Sequence, residues 1–157
     1  MAFASIARLG CCLAAVAMGL SACSSSGNAV SKVKIFRLDA SKRLRAADPA
    51  IAFEYRTRLH GALTAEEVAA REGNYYTAFW SVEGRSPVTV VFEYRQASSG
   101  PKTTAIEYVV EAPRSSNVTE FSVLGPTLKD KGRIVAWRIT LRRGRQILAS
   151  RQSYLWE

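Results

Sequence analysis

Apolar and polar residues alternate one for one in stretch after stretch of this chain. That period of two is the spacing of a strand with one face buried. Ile51, Phe53, Tyr55, Thr57 and Leu59 alternate with Ala52, Glu54, Arg56, Arg58 and His60. Val88, Val90, Phe92 and Tyr94 do the same, and so do Thr104, Ile106, Tyr108 and Val110. Val135, Trp137, Ile139 and Leu141 form a further inward set. Shorter or less pure runs lie at 33–38, 119–123 and 146–156, while 75–82 carries β-formers on both faces, as a central strand does. Turn residues fall between the runs, at Gly84 and Pro87, Gly100 and Pro101, 113–117, Gly125 and Pro126, and Gly144. Gly144 supplies the positive φ of a tight hairpin. About seven or eight short strands with frequent turns predict a mainly β protein, an antiparallel β-sandwich.

One segment departs from this rhythm. Thr64 and Glu67 are spaced as a capping box, helix formers follow, and Gly73 ends them, which predicts a short helix near 64–72. The competing assignment for this segment is an edge strand. In architecture the strand pattern resembles the immunoglobulin and fibronectin type III class, with Trp80 or Trp137 as the core tryptophan. A resemblance of that kind carries no activity.

The N-terminus follows different rules. Residues 11–20 form a ten-residue apolar run behind a single charge, Arg8. As a helix it rises about 15 Å, half of a bilayer's hydrocarbon core, so it matches a secretory signal better than a membrane span. Leu20, Ser21, Ala22 and Cys23 follow, then Ser24. This resembles the lipobox of bacterial lipoproteins. The resemblance covers residues 1–24 and implies cleavage before Cys23 by type II signal peptidase, with diacylglycerol on the Cys23 sulfur and an acylated amine. Ser24 resembles the outer-membrane sorting signal, which implies an anchor in the outer membrane with the domain facing the periplasm. The expected organisation is a signal peptide over 1–22, a lipidated cysteine and flexible tether over 23–31, and one sandwich domain over 32–157. An ordinary signal peptide cut at a small-residue site, or a buried N-terminal helix, is the alternative.

Cleavage changes the composition. The chain's formal charge of +9 loses one unit with Arg8, and of its three cysteines only Cys23 stays. A domain exported to an oxidising compartment is left with no disulfide, thiol nucleophile or thiolate metal site, and must hold together by its core.

Catalytic chemistry finds little to work with. His60 is the only histidine, and it falls on the polar face at the end of an expected strand. Ser99-Gly100-Pro101-Lys102 matches S-x-x-K, but Gly and Pro between two strands make a hairpin loop of it. Glu54, Glu93, Glu107 and Glu111 fall on the polar faces of expected strands, which suits cross-strand ion pairs. The tetrapeptide Phe-Glu-Tyr-Arg occurs at 53–56 and again at 92–95, either as a trace of duplication or as two strands meeting one demand. No catalytic residue, metal or cofactor is expected. A hydrolase whose site assembles only in three dimensions is the remaining enzymatic option.

Basic residues are the one uneven feature. Lys32, Lys34, Arg37, Lys42, Arg43 and Arg45 crowd the stretch after the tether, and 129–151 has Asp130 as its sole acid. In the C-terminal hairpin Arg138, Arg142, Arg143 and Arg145 form either an anion-binding face for lipid headgroups or polysaccharide, or a charged edge that blocks strand-to-strand aggregation. Nucleic acid is not expected, because no stacking aromatics are interleaved there. The expectation is therefore a lipid-anchored, non-enzymatic envelope module. Its partners would be the membrane, through covalent lipid, and an envelope protein or anionic polymer.

Overall fold

The computed structural model describes residues 27–39 and 48–156. The lipobox residues Leu20, Ser21, Ala22 and Cys23, and the basic Lys42, Arg43 and Arg45, lie outside the described residues.

Along the chain run β1 (Ala29–Leu38), α1 (Pro49–Leu59), α2 (Ala65–Arg71), β2 (Gly73–Ser81), β3 (Val88–Gln96), β4 (Thr104–Val110), β5 (Asn117–Leu124), α3 (Gly125–Lys131), β6 (Ile134–Arg143) and β7 (Gln146–Gln152). The seven strands build two sheets, in the orders β1-β2-β5 and β4-β3-β6-β7, with every pairing antiparallel. Successive strands change sheet between β2 and β3, β4 and β5, and β5 and β6. This is an antiparallel β-sandwich of the immunoglobulin-like class.

Alternation decides what lies between the sheets. Tyr76, Ala78 and Trp80 of β2 face Val88, Val90, Phe92 and Tyr94 of β3, with Phe121 from β5 and Ile139 and Leu141 from β6. Each large side chain buried in this way contributes about 1.5–3 kcal/mol. Phe92 is the hub of a ring cluster, with centroids 4.6 Å from Tyr76, 5.2 Å from Phe121 and 5.3 Å from Tyr94. Trp80 is the core tryptophan, and its Nε1 donates to Thr119 Oγ1 at 2.9 Å. Trp137 packs against the core while only partly buried. Burial pushes the Tyr76 phenol up to about 12.

Several expectations need correction. The run 51–59 is helix α1, not a strand. Asp48 accepts the Ala50 N–H at 2.8 Å and Pro49 opens the helix at no hydrogen-bonding cost. A helix also puts Tyr55 and Arg58 on one face, where both reach the β1-β2-β5 sheet: the Tyr55 ring meets Phe36 edge-on at 5.3 Å, and the Arg58 guanidinium lies 3.9 Å from the Tyr75 ring centre. Tertiary contact thus overrides a local period of two. His60 accordingly caps the C-terminus of α1 instead of ending a strand. Phe-Glu-Tyr-Arg is helical at 53–56 and extended at 92–95, so the two copies meet different demands.

Gly125 and Pro126, expected as a turn, begin the short helix α3. The helix expected near 64–72 is present as α2 with both hydrogen bonds of its capping box. Residues 29–31, expected as tether, belong to β1; Val30 pairs with Trp80 and is buried, so the domain starts before 32. At the other terminus β7 stops at Gln152, and the chain turns back to bury Trp156.

Candidate functional site

The four arginines of the C-terminal hairpin do not act as one group. Arg138 stands opposite Glu93 in the β3–β6 register and its Nε donates to Glu93 Oε2 at 2.7 Å. This bond to Glu93 raises the Arg138 pKa further above its ordinary value. The Arg138 guanidinium also lies 5.0 Å from the Trp156 ring centre, and Arg95 lies 4.6 Å from the same ring. Arg142 reaches across β3 to Glu107 of β4 at 2.6 Å. Glu93 and Glu107 thus do make ion pairs across the sheet, with β6 arginines as partners. Pairs as exposed as these each contribute about 0.2–1 kcal/mol. Arg143 instead donates to the carbonyls of Glu83 and Ser86, at 3.1 and 3.4 Å, and fastens the β2–β3 loop. Arg145 stands exposed in the β6–β7 turn.

A second polar cluster leaves no local signal in the sequence, because its members are far apart there. Arg58 of α1 makes a two-pronged bond to Glu120 of β5, with both N···O distances 2.8 Å. Glu54, one helical turn back, lies 3.4 Å from Arg58 Nε, and Thr77 Oγ1 donates to Glu120 at 3.1 Å. The cluster pins α1 onto the outer face of the three-stranded sheet. Arg71 extends the fastening by donating to the carbonyls of Arg58 and His60.

The Arg58 guanidinium holds the Glu120 carboxyl below the usual carboxylate range, against the opposing effect of partial burial. A depressed folded pKa contributes stability that is present above the unfolded value, here 4.5, and lost as pH falls through the folded one. Denaturant titrations between about pH 7 and about pH 3 should therefore show a steeper acid loss in the parent chain than in Glu120→Gln. The variant should start less stable at neutral pH. Parallel pH profiles would remove Glu120 from this role.

The end of the sandwich where the chain enters gathers a third group. Ser81 Oγ donates to the Gly27 carbonyl at 3.1 Å, and the Glu83 N–H donates to Asn28 Oδ1 at 2.9 Å, which hold the entering chain against the β2–β3 loop. Gly27, Val82, Glu83, Arg85, Pro113 and Arg114 line an open cleft there of about 1230 Å³. Asn117 shapes the β4–β5 loop by accepting from the Arg114 N–H at 2.8 Å and donating to its carbonyl at 2.6 Å. Arg85, Arg114 and Arg145 are exposed at this end, and among the described residues their side chains have no hydrogen-bond or ion-pair partner. Arg85 and Arg114 are isolated in sequence, so no run or motif singles them out.

The other candidate groups are committed or scattered. His60 lines a shallow depression with Phe53, Arg56 and Thr57 on the outward side of α1. Ser99 donates to the Gln96 carbonyl at 2.9 Å inside a turn, as a hairpin loop requires. Among the described residues no three His, Cys, Asp or Glu side chains stand together as metal ligands. No helix among them is long and apolar enough to cross a membrane.

No protein-family model matches the chain, and no curated protein does. Among solved structures it is similar to an immunoglobulin-like protein from Pseudomonas aeruginosa. Identity is 16%, over 51% of this chain and 69% of that one, with a TM-score of 0.36. The fold assignment rests on the strand order above.

Proposed function

We propose that this chain is a lipid-anchored, non-enzymatic binding or scaffold module of the bacterial cell envelope, held through Cys23 and facing the periplasm from the outer membrane. The observation that carries this reading is the placement of Leu20-Ser21-Ala22-Cys23 just ahead of Gly27, where the chain is fastened to the sandwich. A lipid on Cys23 would tether the sandwich through a spacer of a few residues. Two or three acyl chains make release from a bilayer very slow, at roughly 0.8 kcal/mol for each buried CH₂.

Support for a non-enzymatic role comes from where the perturbed ionisable groups are used. Arg58 and Glu120 hold a helix to a sheet, and Arg138, through its bond to Glu93, braces two strands. General acid–base catalysis draws on groups whose displaced ionisation faces a substrate.

Cys23→Ser tests the anchor. The variant should incorporate no palmitate and leave the membrane fraction, a complete change and not a graded one. A variant of mature size that still takes up palmitate and pellets with membranes would overturn the reading. The scaffold role predicts that in-cell cross-linking of the lipidated chain yields a specific envelope protein. A chain that cross-links to no envelope protein at any dose contradicts that role.

A further inference from the structure

We infer that the loop end of the sandwich, through Arg85, Arg114 and Arg145, lies on an anionic phospholipid surface and orients the domain upright on the bilayer. The inference rests on the Cys23 anchor proposed above and adds a surface, a binding chemistry and an orientation to it.

Reach comes first. Four residue steps separate Cys23 from Gly27, which span at most about 14 Å when fully extended. Gly27 is itself tied to Ser81, and Asn28 to Glu83. An acyl group on Cys23 therefore keeps the β2–β3 loop, the β4–β5 loop and the β6–β7 turn within a short distance of the headgroups. The reach from Cys23 to Gly27 is less than two screening lengths of about 8 Å at physiological salt.

This end holds Arg85, Arg114, Arg143 and Arg145 against Glu83 and Glu111. Elsewhere in the fold Arg58 is satisfied by Glu120, Arg138 by Glu93 and Arg142 by Glu107. Arg143 is turned inward onto loop carbonyls. Arg85, Arg114 and Arg145 alone at this end keep exposed guanidinium groups without a partner among the described residues. A guanidinium is weakly hydrated and presents a fork that matches phosphate oxygens. The far end also has cations, Lys129 and Lys131 of α3, but nothing ties that end to the anchor. The hairpin arginines Arg138 and Arg142, on the side of the sandwich, are not part of this surface.

The test uses residues 23–157 with Cys23→Ser, which keep the whole fold because every core residue lies at or beyond Val30. Sedimentation with phosphatidylcholine vesicles is compared with sedimentation with vesicles that also contain phosphatidylglycerol. The chain should bind only the anionic vesicles. Binding should weaken steeply from about 0.01 M to about 1 M salt as the screening length shrinks about tenfold.

Arg85→Ala, Arg114→Ala and Arg145→Ala combined should weaken it on the order of 100-fold. The matching triple lysine variant should retain most of it. Arg138→Ala with Arg142→Ala should leave it unchanged, and circular dichroism confirms that each variant is folded. Equal binding to both vesicles, or a triple alanine variant that binds like the parent, overturns the inference. So does loss of binding to inorganic phosphate beyond its contribution to ionic strength. Palmitate labelling of the native chain reports on the anchor separately: a labelled chain whose unlipidated form ignores anionic vesicles keeps the anchor and loses the surface.

Discussion

Replacing Phe92 by alanine lowers folding stability by about 3–5 kcal/mol, read as a lower denaturant midpoint with an unchanged slope. The ring is fully buried and its neighbours Tyr76, Tyr94 and Phe121 are themselves large rings from three different strands. Rings anchored on separate strands cannot collapse into the space that the truncation leaves, so the cavity stays open and the cost falls near the upper part of the range. Residues 27–156 contain no cysteine, so no disulfide shares the burden. Val109→Ala on β4 serves as the control, because its side chain is 58% exposed; it should change stability by less than about 0.5 kcal/mol. A Phe92→Ala loss below about 1 kcal/mol would show that the ring cluster is not the centre of the core.

Gly73→Ala should cost about 3 kcal/mol through a different mechanism, a collision instead of a void. Gly73 opens β2 and pairs with Leu38 on one side and Leu124 on the other. A Cβ there would run into the Val123 carbonyl oxygen and come within 2.8 Å of the Leu124 Cα. Both obstacles are backbone, so the strands themselves must part. The Glu72 carbonyl next to it accepts from the Gly125 N–H at 2.9 Å, so the displacement would reach α3 as well. Thermal unfolding checks this: the variant should lose several degrees, and Gly27→Ala, with open space around its Cβ position and no left-handed φ, should lose less. Equal losses would show that β2 and β5 separate easily at this point.

The parts of the fold that were legible in the sequence are those whose period is set by one neighbour on one side. β3, β4 and β6 were legible because each turns one face to the core, although Val91 and Thr140 are buried on the opposite face as well. The capping box of α2 was legible because its hydrogen bonds are local, from Thr64 to Glu67. Helix α1 was not, because its alternation mimics a strand, and what decides it is Glu120, 62 positions away from Arg58. The same four letters take helical form in α1 and extended form in β3, so partner geometry outweighs local preference. Trp156 was expected to end a strand. It folds back because Arg95 and Arg138 offer its ring two cations.

The candidate surface divides in the same way. Basic density along the chain pointed to Arg138, Arg142, Arg143 and Arg145. Three of these are used inside the fold: Arg138 and Arg142 pair with acids of β3 and β4, and Arg143 holds loop carbonyls. Arg85 and Arg114 come from separate loops that only the strand order brings to one end. A cluster assembled by topology leaves no local run to find.

Arg151 gives the tethered sandwich a mechanical property. From β7 its Nη1 donates to the Val30 carbonyl at 3.3 Å and to that of Ser31. Tension applied through residue 27 would otherwise peel β1 from β2 one register pair at a time, beginning at Ala29 and Ser81. The arginine grips those first residues from the opposite sheet, so the load divides between both sheets at the start. Rupture then requires two interfaces to yield together, which resists a pull better than one zipper does.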